Sequence, residues 1–343
     1  MFEQFFAWYN GLTDGLWGSL LLFAVGVVLL IKGGDWFVDS AVDIAKKFKV
    51  PEIIIGATVV SIGTTLPEVM VSVTAAVNSN GAIAYGNAIG SIICNTALIA
   101  ALTIAIRPAP VDRKAVVTPV VFFFGAAAIY VVAAYIFGRF DRWMGIVMLL
   151  VFAAYMAMTI YKGFKNPTES HDEEEEEEGK SKSLLVDLIV LIVSAALIAI
   201  GADMLEGSSV SLATMAGIPT EVVGVTIVAL CTSLPELVTA VTALMKGHGA
   251  LSLGNIIGAN IFNLVLVSGT AVTISPFVIP EGSKLLGYNT SQLIEIPLMV
   301  GVMALMTLPT LFKGKLRRWQ GISLLAIYAA FVTLQVLIAL KIV

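Results

Sequence analysis

About ten stretches of roughly 20 or more apolar residues, separated by short charged or Pro/Gly-rich breaks, run through the sequence. Each can cross about 30 Å of hydrocarbon as a helix. The stretches are 17–40, 52–77, 82–106, 115–137, 140–161, 183–204, 220–245, 250–274, 293–312 and 320–341. The first follows Met-Phe-Glu-Gln rather than a basic stretch and precedes no small-residue cleavage site, so it reads as a membrane span and not as a secretion signal. With 58% hydrophobic and 13% charged residues, the chain lacks the polar surface a soluble domain needs. The expectation is an all-α membrane protein of about ten transmembrane helices.

Several function classes lose support here. Cys94 and Cys231 both lie inside spans and read as small apolar fillers. His171 and His248 have no Cys or His at metal-ligand spacing, so a zinc site is not supported. The net charge of −4 comes largely from one acidic run and points to no nucleic acid. Nothing implies a cofactor or a protein partner; the lipid bilayer is the partner expected from composition.

That acidic run, Glu173 to Glu178, sits in a linker at 163–182 between a first half, 1–162, and a second, 183–343. Such a block repels itself, and its flexible carboxylates bind calcium only weakly; a solvated linker and a regulatory one both remain open. Lys46, Lys47, Lys49, Arg107, Arg113, Lys114, Lys162, Lys165, Lys180, Lys182, Lys246, Lys313, Lys315, Arg317 and Arg318 fall on one side of the spans, and only Arg139, Arg142, Lys284 and Lys341 on the other. The positive-inside rule then places the protein in the cell membrane with the linker cytoplasmic and both termini outside. Asp35, Asp39 and Asp43, spaced by four, read as solvated helix-end charge or as a path for cations.

Residue n resembles residue n+168. Gly33, Asp35, Pro51 and Gly56 match Gly201, Asp203, Pro219 and Gly224. Thr64, Leu66, Pro67 and Glu68 recur as Thr232, Leu234, Pro235 and Glu236, and Gly86, Asn87, Gly90 and Asn95 recur as Gly254, Asn255, Gly258 and Asn263. Chance does not give that. Each copy holds an odd number of spans, about five, so the copies enter the membrane in opposite senses. Such inverted repeats are frequent in secondary transporters, whose sites lie near the midplane on broken helices.

Proline inside a span removes a backbone donor, so Pro67 frees the carbonyl of Gly63 and Pro235 that of Cys231. Lipid cannot satisfy such oxygens, but a cation can. Glu68 lies one turn beyond Thr64 and Thr65, which brings a carboxylate, hydroxyls and loosened carbonyls together in a hard, oxygen-only environment suited to Na⁺ or Ca²⁺. Ser91 and Asn95 share a helix face with Asn87; the second copy offers Ala259, Asn263 and Asn255. The glycines and Asn87/Asn255 read first as close packing and interhelical hydrogen bonding. Two carboxylates at equivalent midspan positions read as functional.

Gly-Thr-Thr-Leu-Pro-Glu and Cys-Thr-Ser-Leu-Pro-Glu, each followed by Gly-Asn-x-Ile-Gly-x-x-x-x-Asn, resemble the two repeat motifs of the calcium/cation antiporter superfamily, in its sodium/calcium exchanger branch. The motif blocks cover about 51–100 and 219–268. The resemblance implies ten helices and a cluster of cation sites around the glutamates, with Ca²⁺ on Glu68, Glu236 and the carbonyls of Thr64 and Thr232. It further implies that Thr65, Ser91, Asn95, Ser233 and Asn263, with carbonyls near Ser61 and Ala229, complete the sodium sites. Three positions depart from the pattern. Cys231 replaces glycine; Ala259 replaces the hydroxyl of Ser91, so any sodium there relies on backbone oxygen; and Asn263 stands where potassium-dependent members carry aspartate.

The expected activity is transport rather than catalysis: Na⁺ exchanged for Ca²⁺ by alternating access. A proton/calcium antiporter would use the same carboxylates, but its motifs usually read Gly-Asn-x-x-Glu. A passive channel would need a continuous pore. An intramembrane hydrolase would need a nucleophile and base that the chain lacks.

Overall fold

The structure, a computed structural model, describes residues 11, 15–165, 183–217, 233–280, 284–285, 288–340 and 342. Nine of its helices are long and apolar enough to cross a membrane: α1 (Leu16–Phe48), α2 (Glu52–Val77), α3 (Gly81–Ile106), α4 (Val116–Phe137), α5 (Arg142–Lys165), α6 (Leu184–Met215), α8 (Gly249–Ile274), α9 (Ser291–Lys313) and α10 (Arg318–Ile338). A shorter apolar helix, α7 (Leu234–Met245), lies at the seventh expected span. The first part of that span, 220–232, lies outside the described residues, as do Pro219, most of the acidic linker and its run of glutamates.

Two helices outrun their sequence-based limits. The span expected at 17–40 continues to Phe48 and the one at 183–204 to Met215. The charged residues that ended the apolar runs do not end the helices, because the last turns leave the hydrocarbon with backbone bonds intact. α1 stops only at Lys49, which takes a left-handed conformation (φ 52°) and donates its N–H to the carbonyls of Ala45 and Lys46.

Inverted symmetry appears contact by contact. α3 and α8 have bounds offset by the same 168 residues, and each loosens into a π-helical turn at the equivalent asparagine, Asn95–Ala100 and Asn263–Val267. Arg318, opening α10, donates to the last carbonyls of α3 at Ala105 (2.9 Å) and Ile106 (3.4 Å). On the opposite face Arg142, opening α5, donates to Thr273 (2.9 Å) and Ile274 (3.2 Å) at the end of α8. Both cations sit where a helix exposes unpaired carbonyls and the negative end of its dipole. Gly321 then packs on Ala101 and Ala105, and Gly145 on Gly269 and Thr273, again as equivalents. α1 and α6 cross in the same manner: Gly26 lies against the Gly201 carbonyl, and Gly33 against Ser194. Short loop pairings close both faces, with Arg139–Phe140 antiparallel to Phe277–Val278 on one and Pro110 bridged to Lys315 on the other.

α3 and α8 form the centre, with 72% and 83% of their apolar stretches buried, against 17% for α10 at the periphery. The centre is tight because glycine removes side chains at the contact between α2 and α8. A Cβ on Gly254 would stand 2.3 Å from the Ile53 carbonyl oxygen, and one on Gly258 would stand 2.3 Å from Ser61 Oγ.

Gly254→Ala therefore forces α2 and α8 apart and lowers stability by about 1–3 kcal/mol. Gly125→Ala, on an outward face with nothing nearby, is neutral or slightly stabilising. Thermal unfolding of both variants in detergent checks the contrast.

Candidate cation site

The polar residues of the two motifs meet where α2, α3, α7 and α8 pack. The stretch Ser61–Val77, which carries Glu68, contacts the π turn that begins at Asn263; α7, which carries Glu236, contacts the π turn that begins at Asn95. Each glutamate helix thus meets the loosened helix of the other repeat. Thr65 Oγ1 donates to Glu236 Oε1 at 3.4 Å, and Glu68 lies close enough to Glu236 for their charges to act on one another.

Glu68, Glu236, Thr64, Thr65, Ser61, Ser91, Ser233, Asn95, Ala259 and Asn263 are all buried. Both carboxylate oxygens of Glu68, Oε2 of Glu236, the hydroxyls of Ser91 and Ser233, and both amide atoms of Asn95 and Asn263 have no hydrogen-bond partner. One unsatisfied buried polar group costs about 1–3 kcal/mol, and a charged one more. Such groups are rare in folded proteins, and here they gather in one place. Their oxygens form a hard donor set that a small cation satisfies.

The expected donors divide according to whether the fold already uses them. Thr64 Oγ1 lies 3.3 Å from Asn255 Oδ1 and 3.5 Å from the Ser61 carbonyl, so its hydroxyl is occupied and its backbone oxygen is what it has left to offer. Ser61 Oγ donates to the Gly56 carbonyl (2.7 Å) and the Asn255 carbonyl (3.0 Å). Ala259 contributes no side-chain donor opposite Ser91. Thr232, Ala229 and Cys231 lie outside the described residues.

Around Pro67, which leaves the Gly63 carbonyl one donor short as expected of a proline inside a helix, regular α-helix runs from Ser61 to Val77; the departure from it is the π turn Gly56–Val60, about two to three turns before the proline. There an extra residue loosens the backbone bonds, and Thr58, Ser61 and Tyr155 bind the carbonyls of Ile54, Gly56 and Ala57. Pro235 stands in the first turn of α7, where a missing N–H costs little. Asp35 and Asp39 remain partly exposed towards the end of α1, and Lys246 of the second repeat pairs with them there at 3.4 and 2.8 Å.

Asn255 does more than its sequence position suggested. Its Nδ2 donates to Thr239 on α7 (2.9 Å), while its Oδ1 faces both Ser61 and Thr64 on α2 (3.3 Å each). One amide on α8 therefore sets the spacing of both glutamate-bearing helices. Its twin Asn87 donates to Ser72 Oγ (2.9 Å) and the Glu68 carbonyl (3.0 Å). No sequence signal marks a π turn.

The family model described as sodium/calcium exchanger protein matches residues 18–161 and again 186–337. The chain belongs to the sodium/calcium exchanger family. Among relatives of this exchanger-family protein, sodium/calcium exchanger MaX1 of Methanosarcina acetivorans is 32% identical, over 91% of this chain and 97% of its own. The putative antiporter CaxA of Alkalimonas amylolytica is also 32% identical, over 92% and 96%. A solved structure of the sodium-calcium exchanger NCX_Mj, soaked with 2.5 mM Na⁺ and 10 mM Sr²⁺, is similar with a TM-score of 0.76 and 31% identity, over 92% of this chain and 98% of that one. The exchanger described here is a multi-pass membrane cation antiporter and not an enzyme.

Asn255→Ala leaves the Thr64 and Thr239 hydroxyls without this partner in dry protein and lowers stability by about 1–3 kcal/mol. Asn87→Ala, at a half-buried position, costs less. Thermal unfolding in detergent separates the two.

Proposed function

We propose that this protein exchanges Na⁺ for Ca²⁺ by alternating access at the buried pocket, with Glu68 and Glu236 as the paired carboxylates that balance the divalent ion. The observation that carries this reading is the cluster of unpartnered buried oxygens around those two side chains. The names of MaX1 and NCX_Mj, and the soaking of the latter with Na⁺, Ca²⁺ and Sr²⁺, support sodium and an alkaline-earth ion as the cargo.

In this reading Ca²⁺ takes the glutamates with the carbonyls of Thr64 and Thr232. Thr65, Ser91, Asn95, Ser233 and Asn263, with carbonyls of Ser61 and Ala229, serve sodium, while Ala259 leaves one sodium position dependent on backbone oxygen. Two ionised carboxylates facing each other in a dry, occluded pocket are prohibitive without a cation. The protein then changes its open side only when loaded, which makes exchange obligatory. Three Na⁺ per Ca²⁺ would move one net charge per cycle, worth about 2.3 kcal/mol per 100 mV. Asn263 keeps the pocket at two carboxylates and argues against a potassium requirement.

The lysine- and arginine-rich face, where Lys246 meets Asp35 and Asp39 and Lys47 meets Asp187, is assigned to the cytoplasm with the acidic linker, and both termini to the outside. Proton/calcium exchange is the second reading, since protons compete for the same carboxylates.

In proteoliposomes, Ca²⁺ uptake requires internal Na⁺ and persists when K⁺ is replaced by an inert cation; equal uptake driven by a pH gradient without Na⁺ moves the assignment to proton exchange. Glu68→Gln and Glu236→Gln each remove half the balancing charge and abolish Ca²⁺ exchange in protein that still inserts. Near-normal exchange in either variant rules out the paired site.

A further inference from the structure

Glu295 is a span carboxylate that lies outside the central pocket. It sits one turn inside α9, at the end of a π turn that begins at Ser291, on the face opposite the lysine-rich one. Gln335 Nε2, on α10, approaches Glu295 Oε1 at 3.4 Å. The Ser291 hydroxyl and the Tyr85 phenol of α3 also lie beside this carboxylate. Tyr85 is 2% exposed, and its hydroxyl closes no hydrogen bond. Its ring is held among aromatic neighbours, 6.1 Å from that of Tyr130 and 6.5 Å from that of Phe140. Tyr130 OH is taken up with Ser268 Oγ at 3.4 Å.

Among the described residues, no lysine, arginine or histidine pairs with Glu295. One carboxylate with a hydroxyl, a phenol and an amide, whose oxygen and nitrogen exchange places by a flip, is a hard oxygen donor set of charge −1. In a low-dielectric surround a monovalent ion neutralises it, whereas a divalent ion would leave a charge uncompensated. We propose that Glu295, Ser291, Tyr85 and Gln335 form a second site, separate from the transport pocket, that binds Na⁺ and ties α3, α9 and α10 together.

The test follows thermal unfolding of the full chain in detergent as Na⁺ replaces choline at constant ionic strength. It uses a Glu68→Gln/Glu236→Gln background, or wild-type protein with saturating Ca²⁺ should that background fold poorly. The melting temperature rises saturably with Na⁺ in this setting, and adding Glu295→Gln removes the rise. Tyr85→Phe, which keeps the ring packing, shifts the Na⁺ midpoint upward by about threefold or more, the loss of one oxygen ligand comparable in strength to a hydrogen bond. Absence of any Na⁺ response, its survival in Glu295→Gln, or its replacement by Ca²⁺ in the double-glutamine background overturns the proposal. Because the transport carboxylates are removed or filled throughout, each of those results leaves the exchange reading standing.

Discussion

Charge in hydrocarbon has to be balanced, and the packing of this protein follows from that requirement. Glu68 and Glu236 are buried with no lysine, arginine or histidine paired to either among the described residues. An isolated ionised carboxylate is very costly in so apolar a medium, so the two side chains cannot be left to find partners by chance. The surrounding structure instead prevents collapse. Glycine contacts clamp α2 to α8, Asn255 spaces α2 from α7, and the hydroxyls of Ser61 and Thr64 tie α2 to that scaffold. What remains unsatisfied is a small group of oxygens that protein atoms do not reach.

The sequence made the helical spans legible because hydrocarbon thickness imposes a length that composition reveals. It made the duplication legible because both copies keep the same offset through their central helices. Glu68 and Glu236 stood out for a related reason: a charge in the middle of an apolar run has no cheap structural explanation. Backbone detail was less accessible. Pro67 marks a single missing backbone bond, but the π turn lies at Gly56–Val60, where ordinary residues give no cue. The partners of Asp35 and Asp39 were hidden because Lys246 is remote in sequence. Glu295 carries no such signal, because it lies near the end of a span, where charge is common.

The two halves are equivalent in frame but not in detail. Asn260 donates to Thr96 (2.7 Å) and to the Met303 sulfur (3.2 Å), yet the repeat partners of Asn260 and Thr96 are Ile92 and Leu264, which can make no such bonds. Together with Ala259 opposite Ser91, this gives the two sides of the pocket unequal polarity. A transporter that visits two mirror-related states need not hold them at equal free energy, and differences of this kind are where a bias between them can reside.

Arg318 caps α3 and Arg142 caps α8, so each repeat supplies the stopper for a central helix of the other. During synthesis the first five helices leave the ribosome with the end of α3 uncapped and the counterparts of α1 and α5 still missing. α10 emerges only after all of these and carries the cap that finishes α3. The first half is therefore an unfinished body until α10 is in place, although α2 and α3, and α4 and α5, already have one another to pack against.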